Sequence, residues 1–258
     1  MIFDSHAHYD DEKFAPDRDE LLLSLLDNNI TKVVNVGASV RGCHDSLALA
    51  EKYDFVYAAL GIHPEEVLEY DEKDLSWIEE HISDEKVVSV GEIGLDYNFC
   101  DEPENIALQK ELFIRQLELA RKYNKPVIIH SRDACEDTMA ILKQYGSDLK
   151  CVVHCFSYSP EIAAEYVKMG YYIGVGGVVT FKNSKKLVET VEAIPINRIL
   201  LETDCPYLAP EPNRGKRNDS TNLKYVAEKI AQIKGISSKE VEDITLANTL
   251  EFYGLKKG

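Results

Sequence analysis

Two histidines near the start of the chain are the first residues whose types and spacing suit chemistry. His6 and His8 follow a short apolar segment and are separated by a single alanine. In an extended strand, alternate side chains share a face, so both imidazoles are predicted to point the same way. Two converging imidazoles form half of a typical divalent-metal site. The pair alone leaves a metal site and two ordinary exposed histidines equally open.

Further histidines and carboxylates stand at the ends of other predicted strands. They are His63, Glu92, His130, His154, Glu202 and Asp204. A single histidine at the end of an apolar strand is more often a hydrogen-bonded structural residue, and this alternative stays open for each one alone. A carboxylate in a buried strand is costly unless it is paired or bound to metal, which applies to Glu92 and Asp204. Taken together, these residues favour a metal site.

The predicted ligand set is too large for one tetrahedral ion. His6, His8, Glu92, His130, His154 and Asp204 offer six nitrogen or oxygen ligands, which suit two divalent ions. A carboxylate can bridge two metals whereas an imidazole cannot, so Glu92 is the predicted bridge. His6, His8 and Asp204 would hold one ion, and His130 and His154 the other.

Such a pair of ions supports hydrolysis. Two ions about 3.5–4 Å apart activate a water molecule and stabilise both the attacking and the leaving oxygen of a displacement. Asp204 is predicted to accept the proton of that water. Glu202 shares the strand face of Asp204 by the two-residue period, and is predicted to orient the water or a ligand.

The segments that must position these residues alternate regularly between two types. Short apolar runs predict eight strands, at 1–4, 32–37, 55–61, 87–94, 126–130, 151–156, 171–177 and 199–204. Amphipathic segments predict helices at 17–28, 42–53, 72–81, 105–123, 134–145, 160–169, 184–193, 221–234 and 238–253. Parallel strands need such crossover helices.

Eight strand–helix units favour an α/β protein with a single (β/α)8 TIM barrel over an open doubly wound sheet. The length of 258 residues suits one such barrel, and no linker-like segment divides it. We therefore predict one hydrolase domain spanning residues 1–258. In this fold the active site lies at the carboxyl ends of the strands, where the candidate ligands stand.

Composition excludes some classes of protein. The net charge is −16, from 45 acidic and 29 basic residues, which argues against coating duplex DNA through a broad basic surface. No apolar run reaches the roughly 20 residues needed to cross a bilayer, and no secretory signal is recognisable. Six cysteines without regular spacing indicate reduced thiols. These features predict a cytoplasmic protein with no membrane association and no obligate protein partner.

Ordered motifs along the whole length resemble the TatD-like DNase family of metal-dependent hydrolases, within the amidohydrolase-type barrel superfamily. They are Asp4-Ser5-His6-Ala7-His8, Gly61-Ile62-His63-Pro64, Gly91-Glu92-Ile93-Gly94-Leu95-Asp96, His130-Ser131-Arg132-Asp133-Ala134, His154-Cys155-Phe156-Ser157, Leu201-Glu202-Thr203-Asp204-Cys205-Pro206, and the segment 208–218. The resemblance implies a (β/α)8 fold, a binuclear divalent-metal site and hydrolysis of phosphodiesters. It further implies an exonuclease that trims single-stranded or nicked DNA, and sometimes RNA, from the 3′ end.

The resemblance also implies contacts with the substrate. Arg132, Arg214, Lys216 and Arg217 are expected to bind phosphate, and the guanidinium groups of the three arginines suit bidentate bonding. A solvated basic loop is the alternative for the last three. His63 is expected to contact substrate rather than metal. Histidine and carboxylate ligands admit Mg, Mn, Zn or Ni, so the metal stays open.

One position departs from the family pattern. After Arg217-Asn218 the family usually continues with Glu-Pro, whereas this chain has Asp219-Ser220. Without the constraint that proline places on φ, we expect a less rigid loop.

Other functions remain open from the sequence. Cyclic-amide hydrolases of the superfamily often bridge their metals with a modified lysine from strand four, where this chain has Glu92 instead. Hydrolysis of an aminoacyl-tRNA ester would use the same activated water. A non-catalytic metal-binding or scaffold protein is a third alternative. It is disfavoured because metal binding alone does not require both buried carboxylates, Glu202 and Asp204.

Overall fold

A computed structural model describes residues 1–99 and 102–256 of the chain. Within this part, strands and helices alternate as predicted. The strands are β1 (Ile2–Ala7), β2 (Ile30–Gly37), β3 (Val56–Leu60), β4 (Val87–Asp96), β5 (Val127–Arg132), β6 (Cys151–Val153), β7 (Tyr172–Val175) and β8 (Ile199–Leu201). The helices are α1 (Arg18–Leu25), α2 (Val40–Lys52), α3 (Glu72–His81), α4 (Pro103–Lys122), α5 (Cys135–Tyr145), α6 (Pro160–Lys168), α7 (Lys185–Ala193), α8 (Leu223–Lys234) and α9 (Ser238–Tyr253).

The strand order follows the chain from β1 to β8 in one sheet. Neighbouring strands pair in parallel, for example β3 with β4, β4 with β5, and β7 with β8. Eight parallel strands, each followed by a helix, have the topology of a (β/α)8 TIM barrel. The predicted fold class is confirmed.

The chain divides into two compact units. One, here called the terminal unit, comprises Met1–Asn35 and Cys155–Gly258, and the other, the central unit, comprises Val36–His154. The assignment of residues 1–258 to one domain stays a prediction.

The terminal unit holds β1 beside β2, and β7 beside β8. A parallel bridge between Ala7 and Cys205 joins the end of β1 to the segment that follows β8. Its core contains fully buried side chains such as Phe3 and Ile230. Helix α9 begins at a capping box formed by Ser237 and Glu240, which satisfies backbone N–H groups at its start.

The central unit is built on β3, β4, β5 and β6, which pair in parallel in that order. All ten residues of β4 are buried, as expected for a parallel strand covered on both faces. Burial on both faces means that any polar side chain on β4 must find partners inside the protein.

β6 and β8 each end three residues earlier than predicted. β6 stops at Val153 and β8 at Leu201, instead of continuing to 156 and 204. Soon after each end, Cys155 and Asp204 have φ values of 45° and 55°, which interrupt the extended conformation. The polar residues at these two strand ends therefore stand on loops rather than within strands.

No helix among the described residues has the length and low charge that crossing a bilayer requires. Cys100 lies outside the described residues. The other five cysteines, all within the described part, form no disulfide with one another.

Candidate metal centre

The terminal unit brings three predicted ligands together, here called the terminal cluster. His6 lies in β1 and His8 directly follows that strand, and their Nε2 atoms are 3.0 Å apart. The Oδ1 atom of Asp204 is 3.7 Å from Nε2 of His6 and 3.3 Å from Nε2 of His8. The two-residue period of β1 and the turn after β8 thus produce a compact set of three ligand atoms.

The spacing of the terminal cluster suits one divalent ion. Tetrahedral ligands bound at 2.0–2.2 Å stand about 3.4 Å from one another. The three distances in the cluster, from 3.0 to 3.7 Å, bracket that value. Two imidazoles and a carboxylate are also the donor types that zinc and related ions accept.

Asp204 is held in place through its backbone. Its N–H group donates a hydrogen bond to the carbonyl oxygen of His6 at 3.0 Å. The His6 side chain is 1% exposed, whereas that of Asp204 is 18% exposed. The His8 side chain is 13% exposed, so the cluster is buried at His6 and partly open to solvent at His8 and Asp204.

Glu202, two residues before Asp204, is almost completely buried. Its Oε1 atom accepts a hydrogen bond from the backbone N–H of Cys155 at 2.6 Å. A Cβ atom at Gly174 would stand 2.3 Å from Oε2 of Glu202, so a side chain there would displace this carboxylate from its present position. Glu202 and Asp204 line a cavity of about 60 Å³ together with Phe156 and other largely apolar residues. Both carboxylates thus border a space that is large enough for a water molecule.

The central unit forms a second group of ligands, here called the central cluster. The Oε1 atom of Glu92 lies 2.7 Å from Nδ1 of His130 and 2.8 Å from Nε2 of His154. Nε2 of His63 is 3.7 Å from the same oxygen. Glu92 is 3% exposed, so three imidazoles surround one buried carboxylate oxygen. His63, Glu92 and His130 are spaced closely enough to share a metal ion.

A further carboxylate, Asp96, supports the central cluster. Its Oδ2 atom is 2.9 Å from Nε2 of His130, and its Oδ1 atom accepts hydrogen bonds from the backbone N–H groups of Asn98 and Phe99. A carboxylate on the second ring nitrogen typically fixes the orientation of a metal-binding histidine. Asp96 is not among the ligands predicted from the sequence. Its signal was present, because Glu92 and Asp96 share one face of β4 by the two-residue period.

The close approach of β4 to β5 depends on Gly94. Its φ is 149°, and a Cβ atom there would lie 1.9 Å from the carbonyl oxygen of His130. A side chain at this position would push His130 away from Glu92 and Asp96. The glycine therefore preserves the hydrogen-bonded geometry of the central cluster.

The basic residues predicted to bind phosphate differ in their surroundings. Arg132 of the central unit is exposed, and so are Arg214 and Lys216 of the terminal unit. Arg214 stacks on the ring of Phe181 at 4.2 Å. Arg217 instead makes two hydrogen bonds to the carboxylate of Asp17, at 2.6 and 2.7 Å. Arg217 is thus engaged in an ion pair at the surface of the terminal unit.

Residues 3–254 match the family described as TatD related DNase. The chain belongs to the TatD related DNase family. It shares 44% identity over 254 residues with the Bacillus subtilis protein called uncharacterized metal-dependent hydrolase YabD, covering 98% of this chain and 99% of that one. It shares 33% identity with human deoxyribonuclease TATDN3, covering 98% of this chain and 94% of the relative.

A solved structure of another family member has the same fold. The crystal structure of YJJV, a TatD homologue from Escherichia coli K12, superposes with a TM-score of 0.91 at 31% identity. The match covers 99% of this chain and 98% of that one. As a TatD related protein, the chain is a metal-dependent hydrolase.

The histidines of this TatD related protein have unequal proton affinities. Burial lowers the pKa of His63 to about 3, so this imidazole is neutral. Burial also disfavours the charged form of His130, but hydrogen bonds to Asp96 and Glu92 outweigh it and raise its pKa to about 9. The central cluster therefore stabilises positive charge at His130, in the place where the carboxylates converge.

Each of the two units holds some of the predicted ligands. His6, His8 and Asp204 lie together in the terminal unit, and His130 and His154 meet Glu92 in the central unit. Their metal-binding roles stay predictions, as do the substrate contacts. His63, expected at the substrate, lies within the central cluster.

Proposed function

We propose that this metal-dependent hydrolase cleaves phosphodiester bonds at nucleic-acid ends. Its substrate would be single-stranded or nicked DNA, with RNA as a further substrate, and nucleotides would leave from the 3′ end. The main support is that this member of a DNase family holds two compact groups of imidazole and carboxylate side chains. The deoxyribonuclease name of the human relative also supports this substrate class.

Two divalent ions would occupy the ligands. His6, His8 and Asp204 would hold one ion, and Glu92, His130 and His154 the other. That Glu92 bridges the ions stays a prediction. Bound divalent ions supply an activated water and neutralise charge that develops on phosphate. The donor set suits Mg, Mn, Zn or Ni, and selection among these depends on geometry and availability.

The two carboxylates after β8 would have different tasks. Asp204 is partly exposed and would accept a proton from the attacking water. Glu202 is held by the N–H group of Cys155 and would orient that water. A buried, hydrogen-bonded carboxylate is suited to holding a fixed position rather than to exchanging protons with solvent.

A direct test uses single-stranded DNA labelled at its 5′ end and carrying a free 3′ hydroxyl. The protein is loaded separately with Mg²⁺, Mn²⁺, Zn²⁺ or Ni²⁺. We expect a ladder of products shortened one nucleotide at a time, and loss of activity after treatment with a chelator. RNA of the same sequence, aminoacyl-tRNA and a dihydropyrimidine amide are assayed in parallel.

Several outcomes would count against the proposal. If the protein hydrolysed only the amide or only the aminoacyl ester, the proposed phosphodiester hydrolysis would be wrong. Products cut at internal positions, without a ladder, would contradict an exonuclease. A DNA whose 3′-terminal linkages are phosphorothioates provides the matched control, because it should resist release from that end alone.

We expect Arg214→Ala to change KM for DNA and Arg217→Ala to change the melting temperature. Arg214→Ala should raise KM for single-stranded DNA several-fold and weaken the dependence of KM on salt, because one phosphate contact is lost. Arg217→Ala should mainly lower the melting temperature, because its two hydrogen bonds to Asp17 are lost. Steady-state kinetics at two salt concentrations and thermal unfolding measure both effects.

Lys239→Ala is the control for the change in net charge. Lys239 pairs with Asp243 on α9, in the same unit. If this variant raised KM as much as Arg214→Ala, the effect would be one of overall charge. The assignment of Arg214 to substrate binding would then fail.

A further inference from the structure

Asp4, two residues before His6, is a fully buried carboxylate with four hydrogen-bond donors around it. Oδ1 accepts from the backbone N–H groups of His6 at 3.3 Å and Thr203 at 3.0 Å. Oδ2 accepts from the hydroxyl groups of Thr203 and Ser220, both at 2.6 Å. Each oxygen therefore has two donors, which uses the full accepting capacity of a carboxylate.

Three of these donors belong to the two segments that carry the terminal cluster, β1 and the loop after β8. The N–H group of His6 belongs to a predicted metal ligand, and Thr203 stands between Glu202 and Asp204. One buried carboxylate thus ties the backbone of β1 to the loop after β8. A shift of Asp4 would change the spacing between the imidazoles and the carboxylate of Asp204.

Ser220 connects a third segment to this carboxylate. It is fully buried, and its N–H group donates to the hydroxyl of Tyr9 at 2.9 Å. The Ser220 hydroxyl donates to Asp4, so the Tyr9 hydroxyl at 2.7 Å from Ser220 Oγ must be the donor in that contact. Hydrogen bonds hold Ser220 where a constraint on φ from proline is absent. That the loop is less rigid stays a prediction.

A neighbouring residue anchors the same loop. Nδ2 of Asn218 donates to the carbonyl oxygens of Thr203 at 3.0 Å and Tyr207 at 2.8 Å. Asn218 and Ser220 thus attach the end of the basic loop to the segment that carries Glu202 and Asp204. The anchoring is independent of the ion pair between Arg217 and Asp17.

We infer that Ser220 is a positioning residue for the terminal cluster, acting through Asp4 on His6 and Thr203. This inference rests on the proposed function, since it concerns the ligands of the same centre. Ligands must be held within about 0.5 Å of their productive positions, which requires supporting hydrogen bonds. Loss of such support typically weakens metal binding by about 10- to 100-fold.

Substitutions at Ser220 separate its two hydrogen-bonding groups. Ser220→Ala removes the hydroxyl that reaches Asp4, and Ser220→Pro removes both the hydroxyl and the N–H group. Proline is compatible with the backbone, because Ser220 begins a 3-10 helix and the preceding Asp219 is extended, with φ −155° and ψ 169°. Ser220→Thr keeps both groups and serves as the conservative replacement.

The experiment titrates each full-length protein with Co²⁺ by calorimetry and measures kcat and KM on labelled DNA. We expect one Co²⁺ binding step to weaken about 10- to 100-fold in Ser220→Ala and at least as much in Ser220→Pro. Ser220→Thr should recover most of the affinity. The rate constant kcat should fall while KM stays unchanged, because the basic side chains of the loop are retained.

Ser237→Ala is the control, since it removes a serine hydroxyl that accepts a hydrogen bond in the same unit, at the exposed capping box of α9. It should lower the melting temperature without changing Co²⁺ affinity. Equal Co²⁺ affinities for wild type, Ser220→Ala and Ser220→Pro would overturn the inference, whatever their melting temperatures. Weakened Co²⁺ binding in a protein without nuclease activity would uphold the inference and overturn the proposed function. A wild type that binds no Co²⁺ would overturn both.

Discussion

Replacing Glu92 with glutamine is expected to lower the rate of nucleotide release on the order of 1,000-fold. Glutamine keeps the size of the side chain but loses the negative charge on Oε1, which lies within 3.7 Å of three imidazoles. Metal held by the central cluster should be lost as well. Single-turnover kinetics and metal analysis of the purified protein measure the two effects.

Glu79→Gln is the control for this substitution. Glu79 lies on α3 of the same unit and pairs with Lys122 at the surface. Its replacement should leave the rate and the metal content unchanged. Full activity and full metal content in Glu92→Gln would show that Glu92 is a structural carboxylate.

The second large effect is expected for Asp204→Asn. An amide cannot accept the proton of the attacking water, and a general base typically contributes 10²- to 10⁴-fold to a rate. We therefore expect kcat to fall by about that factor while KM for DNA changes little, because the basic residues are untouched. Rates over a range of substrate concentrations separate the two constants.

Two comparisons sharpen this prediction. Asp243→Asn, on α9 of the same unit, makes the same chemical change at an exposed ion pair and should be silent. Glu202→Gln should reduce kcat less than Asp204→Asn, since the glutamine oxygen can still accept the N–H of Cys155. A larger loss in Glu202→Gln would transfer the role of base to Glu202.

Much of the fold could be predicted from local patterns. Alternation of apolar runs with amphipathic segments depends on residues close in sequence, so α3 at Glu72–His81 and α9 at Ser238–Tyr253 match their predicted bounds. The ends of β6 and β8 could not be predicted in this way. They depend on left-handed backbone conformations at Cys155 and Asp204, which are non-glycine residues without a clear local signal.

The candidate ligands could also be recognised early, because the carboxyl ends of parallel strands meet at one edge of a sheet. Polar residues at strand ends can be recognised from the local sequence, and the parallel topology then predicts that they lie close together. The partners of Arg217 gave no such signal. Arg217 and Asp17 are 200 positions apart, and nothing in either segment indicates that they form an ion pair.

By itself, the sequence determined the strand–helix alternation, the residue types at the strand ends and the family to which the chain belongs. Only the tertiary structure decided which residues support those ligands. Asp96 reaches His130 across 34 positions, and Ser220 reaches Asp4 across 216. The physical reason is that a hydrogen bond requires its two groups within about 3 Å, and chain folding alone determines that proximity for residues distant in sequence.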